Sequence, residues 1–119
     1  MRFKRPPKYN NTKTVIDGVT FASKEEAKRW CELLLLLRAG QIAELQRQVR
    51  YELAPSVKFP GDSRAKPALA YWADFTYRDA AGALVVEDTK GVATDVYRVK
   101  KHLMMSVHGI AVKDRIKAR

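Results

Sequence analysis

Asp74, Asp88 and Lys90 fall where a single β-hairpin would bring two carboxylates and an ammonium group together, within Tyr71 to Lys90, YWADFTYRDAAGALVVEDTK. Asp79-Ala80-Ala81-Gly82 puts Asp at the first and Gly at the last position of a type I turn. Gly82 then suits the left-handed bulge position that closes a three-residue loop. With Asp79 facing Ala83, the ladder sets Asp74 across from Asp88, and strand alternation gives Asp88 and Lys90 the same face. Opposed Cβ atoms lie roughly 4.5–5.5 Å apart, and like charges at that separation destabilise the pair. A solvated strand face is the ordinary fate of such residues, but it does not call for aligned aspartates. A divalent cation converts the repulsion into chelation, because Mg²⁺ is commonly held by one or two carboxylates plus substrate phosphates. The lysine would then face a scissile phosphate. In this register Glu87 points to the other face beside Phe75, and it is expected at the surface or the rim of the site.

The elements around the hairpin follow from caps, breakers and periodicity. Thr14 to Phe21 reads as two short strands about Asp17-Gly18, a strong hairpin signal. Ser23 caps a helix that runs to about Ala39 and stops at Gly40, with Ala27, Trp30, Cys31, Leu34 and Leu35 as its expected core stripe. Ser23-x-x-Glu26 is a capping box, a role that needs no further function. Ile42 to Leu53 reads as a strand with a bulge near Gln46 and with Val49, Tyr51 and Leu53 on one face. Residues 55–67 hold three prolines and a glycine and read as a loop. Trp72 is expected in the core. Thr94 or Asp95 caps a second helix ending near Gly109, with Val96, Val99, Leu103 and Val107 at core spacing. A short strand over 110–112 follows. Residues 1–13 read as a flexible basic arm, 14–112 as one domain and 113–119 as a basic tail.

An aspartate at a strand end, a hairpin, then (D/E)-x-K in the next strand resembles the PD-(D/E)XK nuclease superfamily, with Asp74 followed by Asp88-Thr89-Lys90. The likeness is nearest to small phage and prophage nucleases related to endonuclease I and the Holliday-junction resolvases. It extends to S-x-x-E at the first helix, to Gln48-Val-x-Tyr51, and to Lys90-Gly91 followed by Thr94 and a basic helix. The chain departs from the pattern at Ala73, where the family has proline, a residue that supplies no ligand. Periodicity alone supports only α/β or α+β; the resemblance implies a restriction-endonuclease-like α-β-β-β-α-β core, a mixed sheet flanked by helices, with the N-terminal hairpin added. It implies a DNA endonuclease, with a role on branched or recombination DNA. Asp74 and Asp88 would hold Mg²⁺ or Mn²⁺, Glu26 would complete the acidic site as a ligand to the metal or to its water, and Lys90 would position or help deprotonate water or stabilise the phosphate.

Composition points to the same partner by a separate route. The 119 residues carry 23 basic and 13 acidic side chains, a net charge of +10, which favours a polyanion. The longest apolar run, Leu33 to Leu37, is far short of a membrane span, and the basic N-terminus runs into Pro-Pro rather than an apolar signal core. A cytoplasmic protein is expected. The single Cys31 excludes an internal disulfide, no Cys/His spacing suggests zinc, and a buried, inert thiol is expected. Gln48 is a candidate to orient water or touch phosphate, and Arg98, Lys100 and Lys101 form a candidate phosphate-contacting edge. The excess of leucine in Leu33 to Leu37 fits either a homodimer surface or cover by the Thr14 to Phe21 hairpin or the proline-rich loop. The competing reading is a noncatalytic DNA-binding or recombination accessory protein, which composition fits equally well but which gains nothing from an acidic cluster in its binding face.

Overall fold

The computed structural model describes residues 13–90 and 93–116, with the side chains of Lys90 and Ile116 left out. The elements run β1 (Thr14–Ile16), β2 (Val19–Phe21), α1 (Lys24–Arg38), β3 (Ala43–Ala54), β4 (Leu69–Arg78), β5 (Leu84–Lys90), α2 (Asp95–His108) and β6 (Lys113–Ile116). The first two strands form the small hairpin about Asp17 and Gly18. The other four make one mixed sheet in the order β3-β4-β5-β6, antiparallel except for the β5–β6 pair. This is the expected mixed α+β architecture. Among the described residues no helix is long and apolar enough to cross a membrane.

The central hairpin closes as its turn residues dictate. Asp79 N–H donates to Ala83 O at 2.9 Å, Gly82 N–H donates to Asp79 O at 2.9 Å, and the Asp79 carboxylate accepts from the amides of Ala81 and Ala83. Gly82 has φ 83°, a left-handed conformation that glycine adopts at no steric cost. The ladder then pairs Arg78 with Leu84 and Phe75 with Glu87, the register read from the turn.

Val85 joins a buried cluster with Ala27 and Leu33 of α1, while Val86 joins one with Tyr97 and Met104 of α2. The helices therefore cover opposite faces of the sheet. On β4, however, Tyr71 and Ala73 belong to the α2 cluster and Phe75 and Tyr77 to the α1 cluster. On β3, Leu45 packs towards α1, and Tyr51 and Leu53 towards α2. Both strands change face between these residues, at Gln48 and Asp74. Gln48 has φ 53°, an uncommon backbone for a non-glycine residue in mid-strand and one associated with functional strain.

Several expectations shift in phase. In α1 the buried residues are Glu26, Ala27 and Leu33, with Trp30 stacked on Phe75 at 5.9 Å. Cys31 is exposed rather than buried. Leu33 is fully enclosed in the core, so it is unavailable to the dimer surface drawn over Leu33 to Leu37; Leu35 and Leu37 are exposed. In α2 the buried residues are Tyr97 and Met104, with Leu103 of the expected stripe packed against their cluster, while Val96, Val99 and Val107 face outwards. Trp72 is exposed, not core. The last strand lies at 113–116, within the segment expected to be tail, where it pairs with β5. The basic side chains of residues 1–12 and 117–119 lie outside the described residues.

Glu87 departs furthest from expectation. It is 1 % exposed, and it accepts from Arg29 Nε at 2.6 Å, from a second Arg29 nitrogen at 3.1 Å and from the Tyr77 hydroxyl at 2.7 Å. This buried fork ties α1 to β4 and β5 directly behind the strand that carries Asp88.

Candidate active site

The β4–β5 ladder ends at Phe75 and Glu87. Asp74 is not a simple ladder partner of Asp88: its Oδ2 accepts the Thr89 amide at 2.9 Å, so a side chain takes the place of the next backbone bond. The Asp74 and Asp88 carboxyl groups still meet, within hydrogen-bonding reach of one another. Asp88 is 1 % exposed and is held through Oδ2 by the Tyr71 hydroxyl at 2.7 Å. Burial, the hydrogen bond to Asp88 and the Asp88 charge push Asp74 up to about 8. Burial also raises the Tyr71 phenol, with Asp88 adding to the effect, so Tyr71 remains a proton donor to the carboxylate across the ordinary pH range.

Glu26 enters from the other side. Ser23 Oγ accepts from its amide at 3.1 Å, completing the helix cap, yet the Glu26 carboxylate is turned inwards and is only 5 % exposed. It lies 3.9 Å from Arg47 and accepts from Gln48 Nε2 at 3.3 Å. The same Gln48 nitrogen reaches Asp74 Oδ1 at 3.3 Å. Burial raises the Glu26 carboxyl against the opposing pull of Arg47, and the Asp88 charge raises it further. Gln48 therefore bridges two acids from α1 and β4. A half-turn of its amide would present an oxygen in place of the nitrogen.

The structure thus brings together Glu26, Gln48, Asp74 and Asp88. The backbone of Lys90 ends β5 opposite Ile116, and its side chain lies outside the described residues. Arg98 pairs with Asp95 at 3.3 Å on the surface. Lys101 pairs with Asp114 at 2.6 Å, so much of its charge is already answered within the fold, while Lys100 is half-buried. Sequence reasoning missed Tyr71, Arg47 and the Tyr97–Asp114 hydrogen bond. Tyr71 and Asp74 have opposite parity on one strand, so alternation separates them, and only the change of face brings Tyr71 to Asp88.

No set of three or more His, Cys, Asp or Glu side chains among the described residues forms a ligand cluster for a metal ion. That geometry does not suit a closed cage of the structural zinc kind. It does suit Mg²⁺, which keeps several waters and takes one or two carboxylates. Asp88 is fixed through Oδ2 by the Tyr71 hydroxyl and Asp74 through Oδ2 by the Thr89 amide and Oδ1 by Gln48, with hard oxygen chemistry and mutual repulsion that a cation would relieve.

Glu26 allows its two roles to be separated. Glu26→Gln preserves the length of the side chain and the Ser23 cap but removes the charge. Were Glu26 part of a cutting site, as the nuclease resemblance implies, the folded variant, within about 1 kcal/mol of the parent, would lose most DNA cleavage, as read by urea unfolding beside a cleavage assay. Full activity in that variant would leave Glu26 as a cap alone.

The family model described as "Protein of unknown function (DUF1064)" matches residues 6–117. The chain belongs to that family. No curated protein and no solved structure matches the chain.

Proposed function

We propose that this DUF1064 protein is a divalent-metal-dependent nuclease that hydrolyses phosphodiester bonds in DNA. The observation that carries the reading is the Asp74–Asp88 pair, Asp88 buried and Asp74 half-buried with its carboxyl pushed up to about 8, in a chain of net charge +10. A strongly basic protein that only binds DNA has no electrostatic use for two acids in contact, one of them buried. Perturbed acids of this kind mark functional sites.

In this reading Asp74 and Asp88 would hold Mg²⁺ or Mn²⁺, which when bound lowers the pKa of water and offsets charge on phosphate. Tyr71 and the Thr89 amide fix the two aspartates before substrate arrives. Gln48 and Arg47 orient Glu26 so that its carboxylate faces the pair. Lys90, two residues beyond Asp88, is proposed to position the attacking water or to stabilise the phosphate. A role on branched DNA rests on the resemblance to the resolvases.

The protonated pair gives the reading a pH signature. Asp74 keeps its proton in the folded state between its ordinary value of 3.8 and about 8. Over that window the folded state binds more protons than the unfolded one, so this contribution to stability is full below the ordinary value and is lost as pH rises through the folded value. The ion-free protein should lose stability between about pH 5 and pH 8, and Asp74→Asn should flatten the slope. A cation competes with the proton, so stabilisation by Mg²⁺ should grow over the same range and vanish in the variant. Thermal unfolding in EDTA and in Mg²⁺ across that range tests both; a Mg²⁺ shift that survives in Asp74→Asn would contradict the site.

A further inference from the structure

Trp72 is 54 % exposed in the middle of β4, although a tryptophan is among the side chains that gain most from burial. Its neighbours Tyr71 and Ala73 are buried on the α2 side, so alternation turns Trp72 to the opposite face, at a point that α1 leaves open. Its partner across the ladder is Arg50, also exposed. Two residues further along the two strands, where both change face, are Gln48 and Asp74, whose side chains meet at 3.3 Å. Two strand residues span roughly 6–7 Å, so Trp72 lies about that far along β4 from the Gln48–Asp74 contact. On the side away from Asp74, the following pair is Glu52 and Ala70.

We propose that Trp72, flanked by Arg50, is a stacking platform for an unpaired base of the DNA strand, so that the substrate class is DNA offering single-stranded nucleotides next to the bond to be cut. This rests on the nuclease reading and narrows its substrate. The neighbours decide between occupants. The positions around Trp72 on the two strands are held by Arg50, Gln48, Glu52 and Asp74, whereas the core of a stable dimer contact is larger and depleted in charge. A base needs only a flat π-face, with a cation nearby for its phosphate. A base locked in a duplex cannot offer that face.

The test exploits the other tryptophan. Trp30 is stacked on Phe75, so a change in indole emission on binding reports chiefly Trp72. In EDTA, where no bond is cut, oligothymidine should quench the emission and a matched duplex should not. Trp72→Ala should lose roughly tenfold in affinity for oligothymidine, the scale of one base–aromatic stack, while duplex affinity holds, and Trp72→Phe should recover most of the loss. Absence of quenching, equal loss on both DNAs, or no loss on either would overturn the platform. A Trp72→Ala protein that dissociates from dimer to monomer in sedimentation, with DNA affinity intact, would give this face to a second copy of the chain and would also overturn it. Stacking without cleavage in Mg²⁺ would remove the catalytic reading, and cleavage without stacking would remove only the platform.

Discussion

Asp88→Asn is expected to reduce Mg²⁺-dependent cleavage by roughly a thousandfold, the several kcal/mol of transition-state stabilisation that a correctly held cation supplies. DNA affinity should stay within a factor of about three, because affinity in so basic a chain comes from phosphate contacts elsewhere. The substitution is nearly isosteric and leaves an amide oxygen to accept the Tyr71 hydroxyl, which now holds Asp88 Oδ2 at 2.7 Å. It also removes the buried member of two acids in contact. The ion-free variant should therefore be slightly more stable than the parent and gain nothing from Mg²⁺. Single-turnover cleavage, equilibrium DNA binding and thermal unfolding on the same preparation separate these effects. Parent-level cutting by Asp88→Asn would remove Asp88 from the chemistry.

Glu87→Ala should have the largest effect on stability, about 3–5 kcal/mol, because it strands the Arg29 guanidinium without its buried partner. Arg29 is 12 % exposed and Glu87 1 %, so water cannot readily replace the lost contact, and the Tyr77 hydroxyl loses its acceptor as well. Burial pulls the Arg29 pKa down, but the hydrogen bond to Glu87 and the Glu87 charge outweigh it and raise the Arg29 pKa. Replacing both Arg29 and Glu87 by methionine should restore much of the stability, since apolar residues of similar volume are tolerated where a broken ion pair is not. Urea unfolding of the two single variants and the double variant makes the comparison. A Glu87→Ala loss below about 1 kcal/mol would place the pair in the class of exposed ion pairs.

These neighbours on β5 show how far a sequence can be read. The hairpin register was legible because Asp79 and Gly82 allow one way of closing the loop, and Asp74 and Asp88 follow from it. Alternation also put Glu87 on the opposite face correctly, but not in the core: its partner Arg29 is on α1, and nothing local links the two. The helix faces were harder. In α1 the leucine run offers apolar residues at every phase, and only packing on Phe75 and Phe21 selects Leu33. In α2 the stripe Val96, Val99, Leu103 and Val107 satisfies helical spacing, yet Tyr97 and Met104 are the residues buried, and Tyr97 also reaches Asp114.

The switch of face at Gln48 and Asp74 could not be read from a pattern of period two. It depends on a left-handed backbone at Gln48 and on the Thr89 amide being taken by a side chain, neither of which has a residue signature. It brings Tyr71 to Asp88 and leaves Trp72 on the open face. The terminal strand was displaced for a related reason: Lys113 to Ile116 is charged and looks like tail, but an edge strand beside β5 tolerates charge.

Whether Asp74 and Asp88 form a metal-dependent cutting centre for DNA is tested most directly by incubating the purified protein with supercoiled plasmid in Mg²⁺, in Mn²⁺ and in EDTA. Strand breaks that require the cation and stop with EDTA are the predicted result. A folded, DNA-bound protein that cuts nothing with either cation, or one whose cutting ignores EDTA, would contradict it.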